Sequence, residues 1–269
     1  MLNAEIAGTD HVRALFDLHG KVSVVTGASS GLGESFARVL AAAGSTVVVA
    51  ARRLDRLEVL AKEFDPAIPG VGRIVPVRCD VTSPEDRDHL VVLAAGITGD
   101  IDVLVNNAGM PGVPHAEDET IEGFAALLDL NLTAGFHLAT RVAGTVREGR
   151  PLSIINISSV IGLVSTAPIG GASYAASKSG TIGLTRELAG QWGRRGIRVN
   201  AIVPGWFDTE MTDGLFDDEK SAGWVRRNTM LGRGGEPGEV DGAVLFLASA
   251  ASSYVTGHSL VVDGGWIAR

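Results

Sequence analysis

The sequence predicts an α/β protein whose parallel seven-stranded sheet is doubly wound, with helices on both faces. Seven runs of apolar, mostly β-branched residues are close to continuous, which is typical of strands covered on both faces of a parallel sheet. Segments of helical length and composition separate these runs, as right-handed crossover connections require. Glycine is abundant, with 35 residues among 269, and it clusters at the ends of the runs, where tight turns are expected.

The predicted elements follow one another in a regular order. The first strand is predicted from the run KVSVVT and the second from STVVVAA. In chain order, the predicted strands cover residues 21–26, 45–51, 73–79, 101–106, 152–158, 197–203 and 259–263. The predicted crossover helices cover residues 31–43, 54–64, 84–96, 118–147, 173–194 and 236–248.

Two segments depart from this order. Residues 1–18 form an N-terminal extension, with a short helix predicted around residues 10–17. Residues 19–269 are expected to form a single domain, which their number permits. Within this domain the segment 206–232 is irregular, polar and long. Because ligands of open α/β sheets bind beyond the carboxyl ends of the strands, this segment is a candidate substrate lid.

Composition and charge exclude several classes of function. A formal net charge of −8 disfavours nucleic acid as the main partner, because phosphate backbones are bound by clustered lysines and arginines. The single cysteine, Cys79, excludes an internal disulfide and a cysteine-built metal site, and no metal is expected. No apolar run is long enough to span a membrane, and the first residues lack the pattern of a signal peptide. A cytoplasmic protein is therefore expected.

A glycine-rich loop lies between the first strand and the first crossover helix. Its glycines have the spacing Gly27-x-x-x-Gly31-x-Gly33. Small residues let the backbone approach a pyrophosphate closely, and the following helix N-terminus offers free N–H groups and a favourable dipole. We interpret the loop as part of a dinucleotide site, so the domain is expected to be both dinucleotide-binding and catalytic. A tight turn without a ligand is the alternative.

The residues after the second strand bear on which dinucleotide is bound. A carboxylate at this position would bind the free ribose hydroxyls of NAD and repel the 2′-phosphate of NADP. The sequence instead has Arg52 and Arg53 after Ala51, and guanidinium groups suit phosphate. NADP(H) is therefore favoured. The two arginines could instead begin a solvated helix with Asp55 and Glu58, which leaves NAD(H) possible.

Tyr174 and Lys178 are four residues apart in a segment of helical composition. This spacing places both side chains on one face of a helix. A free phenol has a pKa of about 10 and is a poor base at neutral pH, whereas a nearby ammonium favours the phenolate. We therefore predict that Tyr174 acts as a general acid and base. The spacing alone occurs often by chance, and its place after the fifth strand is what favours the catalytic interpretation.

Taken together and in order, these motifs resemble those of the short-chain dehydrogenase/reductase family. The resemblance rests on the loop Thr26–Gly33, the run Asn106–Gly109 and the pair Tyr174 and Lys178, and it extends from about residue 19 to the C-terminus. It implies a Rossmann fold and an NAD(P)-dependent oxidoreductase that transfers a hydride between a nicotinamide and a carbonyl or alcohol. It assigns cofactor contacts to Gly27, Ser29, Ser30, Gly31, Leu32, Gly33, Arg52, Arg53, Asp80, Val81, Asn107, Ala108, Gly109, Tyr174, Lys178, Pro204, Gly205, Phe207 and Thr209.

The resemblance also places particular residues along the cofactor. Asp80 is expected near the adenine amino group, with Val81 against the ring. A helix or turn cap is the alternative role for Asp80. The backbone at Phe207 is expected to meet the nicotinamide carboxamide, with the Thr209 hydroxyl nearby. Asn107 could instead satisfy hydrogen bonds of the turn in which it lies.

The catalytic set that the resemblance implies is Asn131, Ser159, Tyr174 and Lys178. Ser159 would hydrogen-bond the substrate oxygen. Asn131 would hold a water that links Lys178 to solvent, with a helix kink around a structural water as its alternative role. The spacing from Ser159 to Tyr174 is longer than is usual in the family, so the segment 160–173 carries a short insertion. This leaves Ser158 as an alternative to Ser159, with Ser165 and Ser173 as remoter ones.

Three functions remain open from the sequence. The favoured one is a carbonyl reductase or alcohol dehydrogenase acting on a small molecule, whose identity the sequence does not specify. The second is a catalytically silent dinucleotide sensor, which the presence of all four catalytic residues disfavours. The third is an epimerase or dehydratase, which the short C-terminal part disfavours. The closing strand and the helix 236–248 resemble surfaces that pair family members, so a homotetramer or homodimer is expected.

Overall fold

Strands and helices alternate along the part of the chain that the computed structural model describes, which is residues 9–64, 68, 70–167 and 169–268. The strands are β1 (Val22–Thr26), β2 (Thr46–Ala51), β3 (Ile74–Arg78), β4 (Val103–Asn106), β5 (Leu152–Ile157), β6 (Ile197–Pro204) and β7 (Ser259–Val262). The α-helices are α1 (Thr9–Phe16), α2 (Gly31–Ala42), α3 (Leu54–Lys62), α4 (Pro84–Thr98), α5 (Ile121–Leu128), α6 (Ala134–Thr145), α7 (Ala172–Trp192), α8 (Glu219–Asn228) and α9 (Asp241–Ala248). The first eight residues of the predicted extension lie outside the described residues.

The seven strands form one parallel sheet in the order β3-β2-β1-β4-β5-β6-β7. Val24 of β1 pairs with Val48 of β2 on one side and with Leu104 of β4 on the other. The order therefore reverses at β1, and the connections after β1 and β4 leave in opposite directions. A crevice at the carboxyl ends of these two strands is the usual ligand site of such sheets. The predicted doubly wound α/β fold is confirmed.

Each face of the sheet packs on its own set of helices. Val25 and Val49 belong to a core with the helices α2 and α9, whereas Val24 and Val48 belong to a core with α4, α6 and α7. Neighbouring residues of one strand thus enter opposite cores, as the two-residue period of a strand requires. Because both faces of the sheet are buried, the strands appear in the sequence as nearly continuous apolar runs. None of the helices in the described part of the chain is long and apolar enough to cross a lipid bilayer.

The structure differs from the predicted elements in two places that border the site. The predicted helix 118–147 is two helices, α5 and α6, joined by a π-helical turn over Asp129–Thr133. The segment 206–232 was predicted to be irregular, and this is wrong for its second half, which forms α8. The Asp218 carboxylate caps α8 by accepting hydrogen bonds from two backbone N–H groups, and the Trp224 ring packs edge-on against Trp206. The many polar residues of α8 conceal this narrow apolar face.

Candidate active site

The carboxyl ends of the central strands open into a cavity of about 680 Å³. Every residue that the sequence assigns to the cofactor lines this cavity, and so does Ser159. Asn131 is the one predicted site residue that does not line it. A cavity of this size fits the range that holds small ligands and cofactors.

The glycine-rich loop is shaped as a cradle. Gly27 and Gly31 have φ angles of +67° and +58°, which side chains other than glycine rarely adopt. A Cβ on Gly33 would lie 2.4 Å from both the Gly27 carbonyl oxygen and the Asn107 Nδ2 atom. The helix α2 begins at Gly31, and the side chain of its N-cap residue, Ser30, makes no capping hydrogen bond within the described residues. Small residues in front of a helix N-terminus fit a pyrophosphate group.

Hydrogen bonds fasten the glycine-rich loop to the loop that follows β4. The Thr26 hydroxyl accepts hydrogen bonds from the backbone N–H groups of Asn107 and Ala108, at 3.0 and 3.1 Å. The Asn107 side-chain amide donates to the carbonyl oxygens of Thr26 and Gly27, at 2.9 and 3.2 Å. Asn107 therefore has the turn-stabilising role that the sequence left open, and it also lines the cavity.

Asp80 forms a local turn after β3. Its carboxylate accepts hydrogen bonds from the Thr82 backbone N–H at 3.0 Å and from the Thr82 hydroxyl at 2.8 Å. These bonds lower the pKa of Asp80, and the charges of Arg52 and Arg78 lower it further. The cap of α4 is Ser83, so Asp80 does not cap that helix. Its carboxylate is ionised at the cavity wall.

Arg53 connects the glycine-rich loop to the segment after β6. Its guanidinium donates hydrogen bonds to the hydroxyls of Ser29 and Ser30, at 3.1 and 2.9 Å. It also donates two parallel bonds to the Glu210 carboxylate, at 2.8 and 2.7 Å. Hydrogen bonds from Arg53 and then Ser30 lower the pKa of Glu210 to about 2. The sequence did not single out Glu210, because no local pattern links residues that are 157 positions apart.

Lys178 is buried on α7, with 5% of its surface exposed. Its ammonium donates a hydrogen bond of 2.9 Å to the Ile157 carbonyl oxygen at the end of β5. It lies 5.5 Å from the centroid of the Tyr174 ring, within the range of a cation–π contact. Burial lowers the pKa of Lys178 to about 8, because loss of water disfavours the charged form.

The Tyr174 hydroxyl faces the cavity, 4.0 Å from the sulfur of Met211. Burial of the phenol raises the pKa of Tyr174 to about 12, and a hydrogen bond with Ser159 acts in the opposite direction. The phenol is therefore protonated at neutral pH in this arrangement. A further positive charge is needed before it can act as a base, and the cofactor that the sequence predicts would bring one in its oxidised form.

The structure distinguishes the serines that the sequence left as alternatives. Ser159 lines the cavity, and its interaction with the Tyr174 hydroxyl lowers the pKa of that phenol. Ser158 also lines the cavity, but its hydroxyl donates to the Lys178 carbonyl oxygen at 2.8 Å, which ties the end of β5 to α7. The buried Ser173 hydroxyl donates to the Glu119 carboxylate. Of these serines, Ser159 has the geometry to contact a substrate oxygen.

Asn131 lies in the π-helical turn behind the cavity wall. Its side chain exchanges two hydrogen bonds with the backbone of Met110, at 2.9 and 3.0 Å. A Cβ built on Gly109 would lie 3.2 Å from the Asn131 side-chain oxygen and 3.7 Å from the Lys178 ammonium. These groups are therefore close neighbours. A cavity of about 20 Å³ beside Asn131 has room for one water, which agrees with either predicted role for this residue.

Comparison with known proteins places this chain among enzymes. A family profile described as enoyl-(acyl carrier protein) reductase matches residues 27–267. A 3-oxoacyl-(acyl-carrier-protein) reductase of Thermotoga maritima is 38% identical, over 93% of this chain and 99% of its own. The crystal structure of a short-chain type dehydrogenase/reductase from Mycobacterium marinum is 39% identical with a TM-score of 0.88, covering 96% of this chain and 100% of its own. The chain belongs to the short-chain dehydrogenase/reductase family.

A second solved relative carries ligands. The gluconate 5-dehydrogenase from Burkholderia cenocepacia, in complex with NADP and tartrate, is 33% identical with a TM-score of 0.86, covering 96% of this chain and 100% of its own. The predicted family membership is thereby confirmed. So is the prediction that this short-chain dehydrogenase/reductase is an oxidoreductase acting on carbonyl or alcohol groups with a nicotinamide dinucleotide.

Replacing Gly33 with alanine tests the cradle. The added methyl would lie 2.4 Å from a backbone carbonyl, so the loop must shift away from its present shape. We expect the dissociation constant for NADPH in Gly33→Ala, measured by fluorescence titration, to rise about tenfold or more.

The control is Gly96→Ala on α4, where nothing lies within 4 Å of the added methyl. It should leave cofactor affinity unchanged and stabilise the helix by about 0.5–1 kcal/mol. Wild-type NADPH affinity in Gly33→Ala would show that the loop does not hold the pyrophosphate.

Proposed function

We propose that this short-chain dehydrogenase/reductase interconverts a small-molecule carbonyl compound and its alcohol, with Tyr174 as the general acid and base. One observation carries the proposal. The Tyr174 hydroxyl borders a large cavity that Ser159 also lines, and the Tyr174 ring lies 5.5 Å from the buried ammonium of Lys178. A proton donor, a second hydroxyl and a fixed cation are the groups that a carbonyl reduction requires from the protein.

NADP(H) is the cofactor of this proposal. The glycine-rich loop would hold the pyrophosphate, Asp80 would face the adenine, and Arg53 with Ser29 and Ser30 would hold the 2′-phosphate. The guanidinium and the two hydroxyls already lie within hydrogen-bond distance of one another, which supports a phosphate site. The NADP in the Burkholderia cenocepacia relative supports the same choice. When bound, the nicotinamide supplies or accepts the hydride.

The chain's own residues handle the proton. In the reducing direction, the hydroxyls of Ser159 and Tyr174 both donate hydrogen bonds to the carbonyl oxygen and polarise it. Tyr174 then donates its proton to that oxygen, and the phenolate that remains is stabilised by the Lys178 ammonium. The Ile157 carbonyl holds the ammonium in place. Oxidation of an alcohol uses the same groups in reverse.

Two further features belong to this proposal. The segment 206–232 would act as a lid, since its first residues line the cavity and its helix α8 is anchored by aromatic contacts. A homotetramer or homodimer is supported by β7, the edge strand of the sheet, because all of its residues remain partly exposed in one chain. No observation favours the catalytically silent sensor.

The two tyrosines of the chain offer a matched test of the catalytic assignment. Replacing Tyr174 with phenylalanine removes only the hydroxyl, so kcat for ketone reduction should fall about 10²- to 10⁴-fold. NADPH affinity should remain within about twofold, because the ring is retained. Stopped-flow kinetics and fluorescence titration measure the two quantities.

The control is Tyr254→Phe, because the Tyr254 side chain is fully exposed and is not among the residues that line the cavity. This variant should behave as wild type. Equal turnover in Tyr174→Phe and Tyr254→Phe would contradict the role of the Tyr174 hydroxyl.

A further inference from the structure

The cavity wall around Tyr174 is apolar. Met110, Ile161, Ile169, Trp206 and Met211 line the cavity, and they belong to the loops that follow β4, β5 and β6. The Met211 sulfur is 4.0 Å from the Tyr174 hydroxyl, so this side chain borders the place of the substrate. Met110, Ile169 and Met211 are each more than a third exposed, so they present apolar surface at the cavity.

The cationic side chains that line the cavity lie outside the loops that form its apolar wall. Among the described residues, the charged ones that line the cavity are Arg52, Arg53, Asp80, Lys178 and Glu210. Arg53 and Glu210 form an ion pair beside the glycine-rich loop. The charge of Arg52 lowers the pKa of Asp80, which follows β3. Lys178 is buried and donates to a backbone carbonyl. Among the described residues that line the cavity, none in the loops after β4, β5 and β6 that form the apolar wall is a lysine or an arginine.

We propose that the cavity selects an uncharged, apolar ketone or secondary alcohol and discriminates against carboxylates. This inference rests on the proposed function and specifies its substrate class. A carboxylate placed against these side chains would lose water without gaining a cationic partner, which is costly. The net charge of −8 also opposes the approach of anions. An uncharged ester or ketone has no carboxylate to desolvate and is not repelled by the net negative charge.

Matched pairs of ester and acid test this selection. Ethyl benzoylformate is compared with benzoylformate, and ethyl acetoacetate with acetoacetate, each with NADPH. The kcat/KM of the ester should exceed that of the acid by about 100-fold or more. Equal kcat/KM values within each pair would overturn the inference.

Adding a cation to the wall should weaken the preference for the ester. Ile169→Arg should raise the ratio of acid to ester turnover about tenfold relative to Ile169→Gln, which has a long polar side chain without charge.

Isothermal calorimetry on the NADP-saturated protein distinguishes a failure of this substrate-class inference from a failure of the proposed function. If no carbonyl is reduced, the proposed function fails, and tighter binding of the ester than of the acid would still support the inference. Binding of the acid as tightly as the ester would overturn it.

A separate observation concerns Glu210, which holds the arginine proposed for the 2′-phosphate. Its carboxylate accepts both hydrogen bonds of the Arg53 fork and lies 3.3 Å from Arg56. Its neighbour Thr209 packs on the glycine-rich loop, because a Cβ on Gly31 would lie 3.3 Å from the Thr209 Cβ. Two independent contacts thus hold the segment after β6 against the glycine-rich loop.

We infer that Glu210 sets cofactor specificity by competing with the 2′-phosphate for Arg53. This too rests on the proposed function. A phosphate at Arg53 must take hydrogen bonds now made to the carboxylate and must tolerate its negative charge. NAD(H) has no 2′-phosphate and can bind while the Arg53–Glu210 pair stays intact. Glu210 therefore weakens the binding of NADP(H) but not that of NAD(H). It thereby narrows the difference between the affinities of the protein for the two cofactors. Because the pKa of Glu210 is lowered to about 2, the competition persists across the physiological pH range.

Removing the charge of Glu210 tests this competition. In Glu210→Gln, the dissociation constant for NADPH should fall about three- to fivefold, as expected for a half-exposed ion pair, whereas that for NADH should change less than about twofold. The control is Glu219→Gln, which removes the charge of another lid glutamate, one paired with Arg226 and absent from the cavity lining. Equal changes for both cofactors, unchanged NADPH affinity, or weaker NADPH binding in Glu210→Gln would each overturn the inference.

Discussion

The proposed chemistry depends on one constraint, which is that a lysine ammonium remains charged while almost wholly buried beneath a phenol. Burial lowers the pKa of Lys178 to about 8, so the charge survives at neutral pH with little margin. The Ile157 carbonyl oxygen accepts a hydrogen bond from this ammonium. The close approach of the loop after β5 requires Gly162, where a Cβ would lie 2.7 Å from the Lys178 backbone. The same burial raises the pKa of Tyr174 to about 12. For Tyr174 to act as a base at neutral pH, a bound, positively charged partner is therefore required.

The fold meets this constraint by bringing the carboxyl ends of parallel strands to one edge of the sheet. The strand β5 provides the Ile157 carbonyl and is followed by Ser158 and Ser159, whose hydroxyls have different roles. Ser158 ties the strand to α7, whereas Ser159 reaches Tyr174. Two buried cores hold α2 and α7 against opposite faces of the sheet. The dinucleotide cradle and the proton donor are thus fixed by separate packing contacts but open into the same cavity.

The sequence predicted the fold well because the strands are buried on both faces and the glycines mark their ends. The cofactor contacts that the family resemblance assigns all line the cavity, because they lie in short, local motifs. The sequence did not predict α8, whose polar composition conceals its packing face. It predicted one helix over residues 118–147, with a kink at Asn131 only as an alternative, because a π-helical turn has no clear sequence pattern. The Arg53–Glu210 pair could not be predicted either, because only the folded sheet brings residues so distant in the chain together.

The most direct measurement of the central claim is a titration of the Tyr174 phenol in the Tyr254→Phe variant, which has no other tyrosine. Carbon-13 labelling of the ring lets NMR follow the phenol alone. Without nucleotide, the pKa of Tyr174 should lie near the value of about 12 that burial imposes. With saturating oxidised NADP, the pKa should fall below about 9, and in Lys178→Met this fall should be largely lost. A pKa that stays near its nucleotide-free value when NADP is bound would contradict the account.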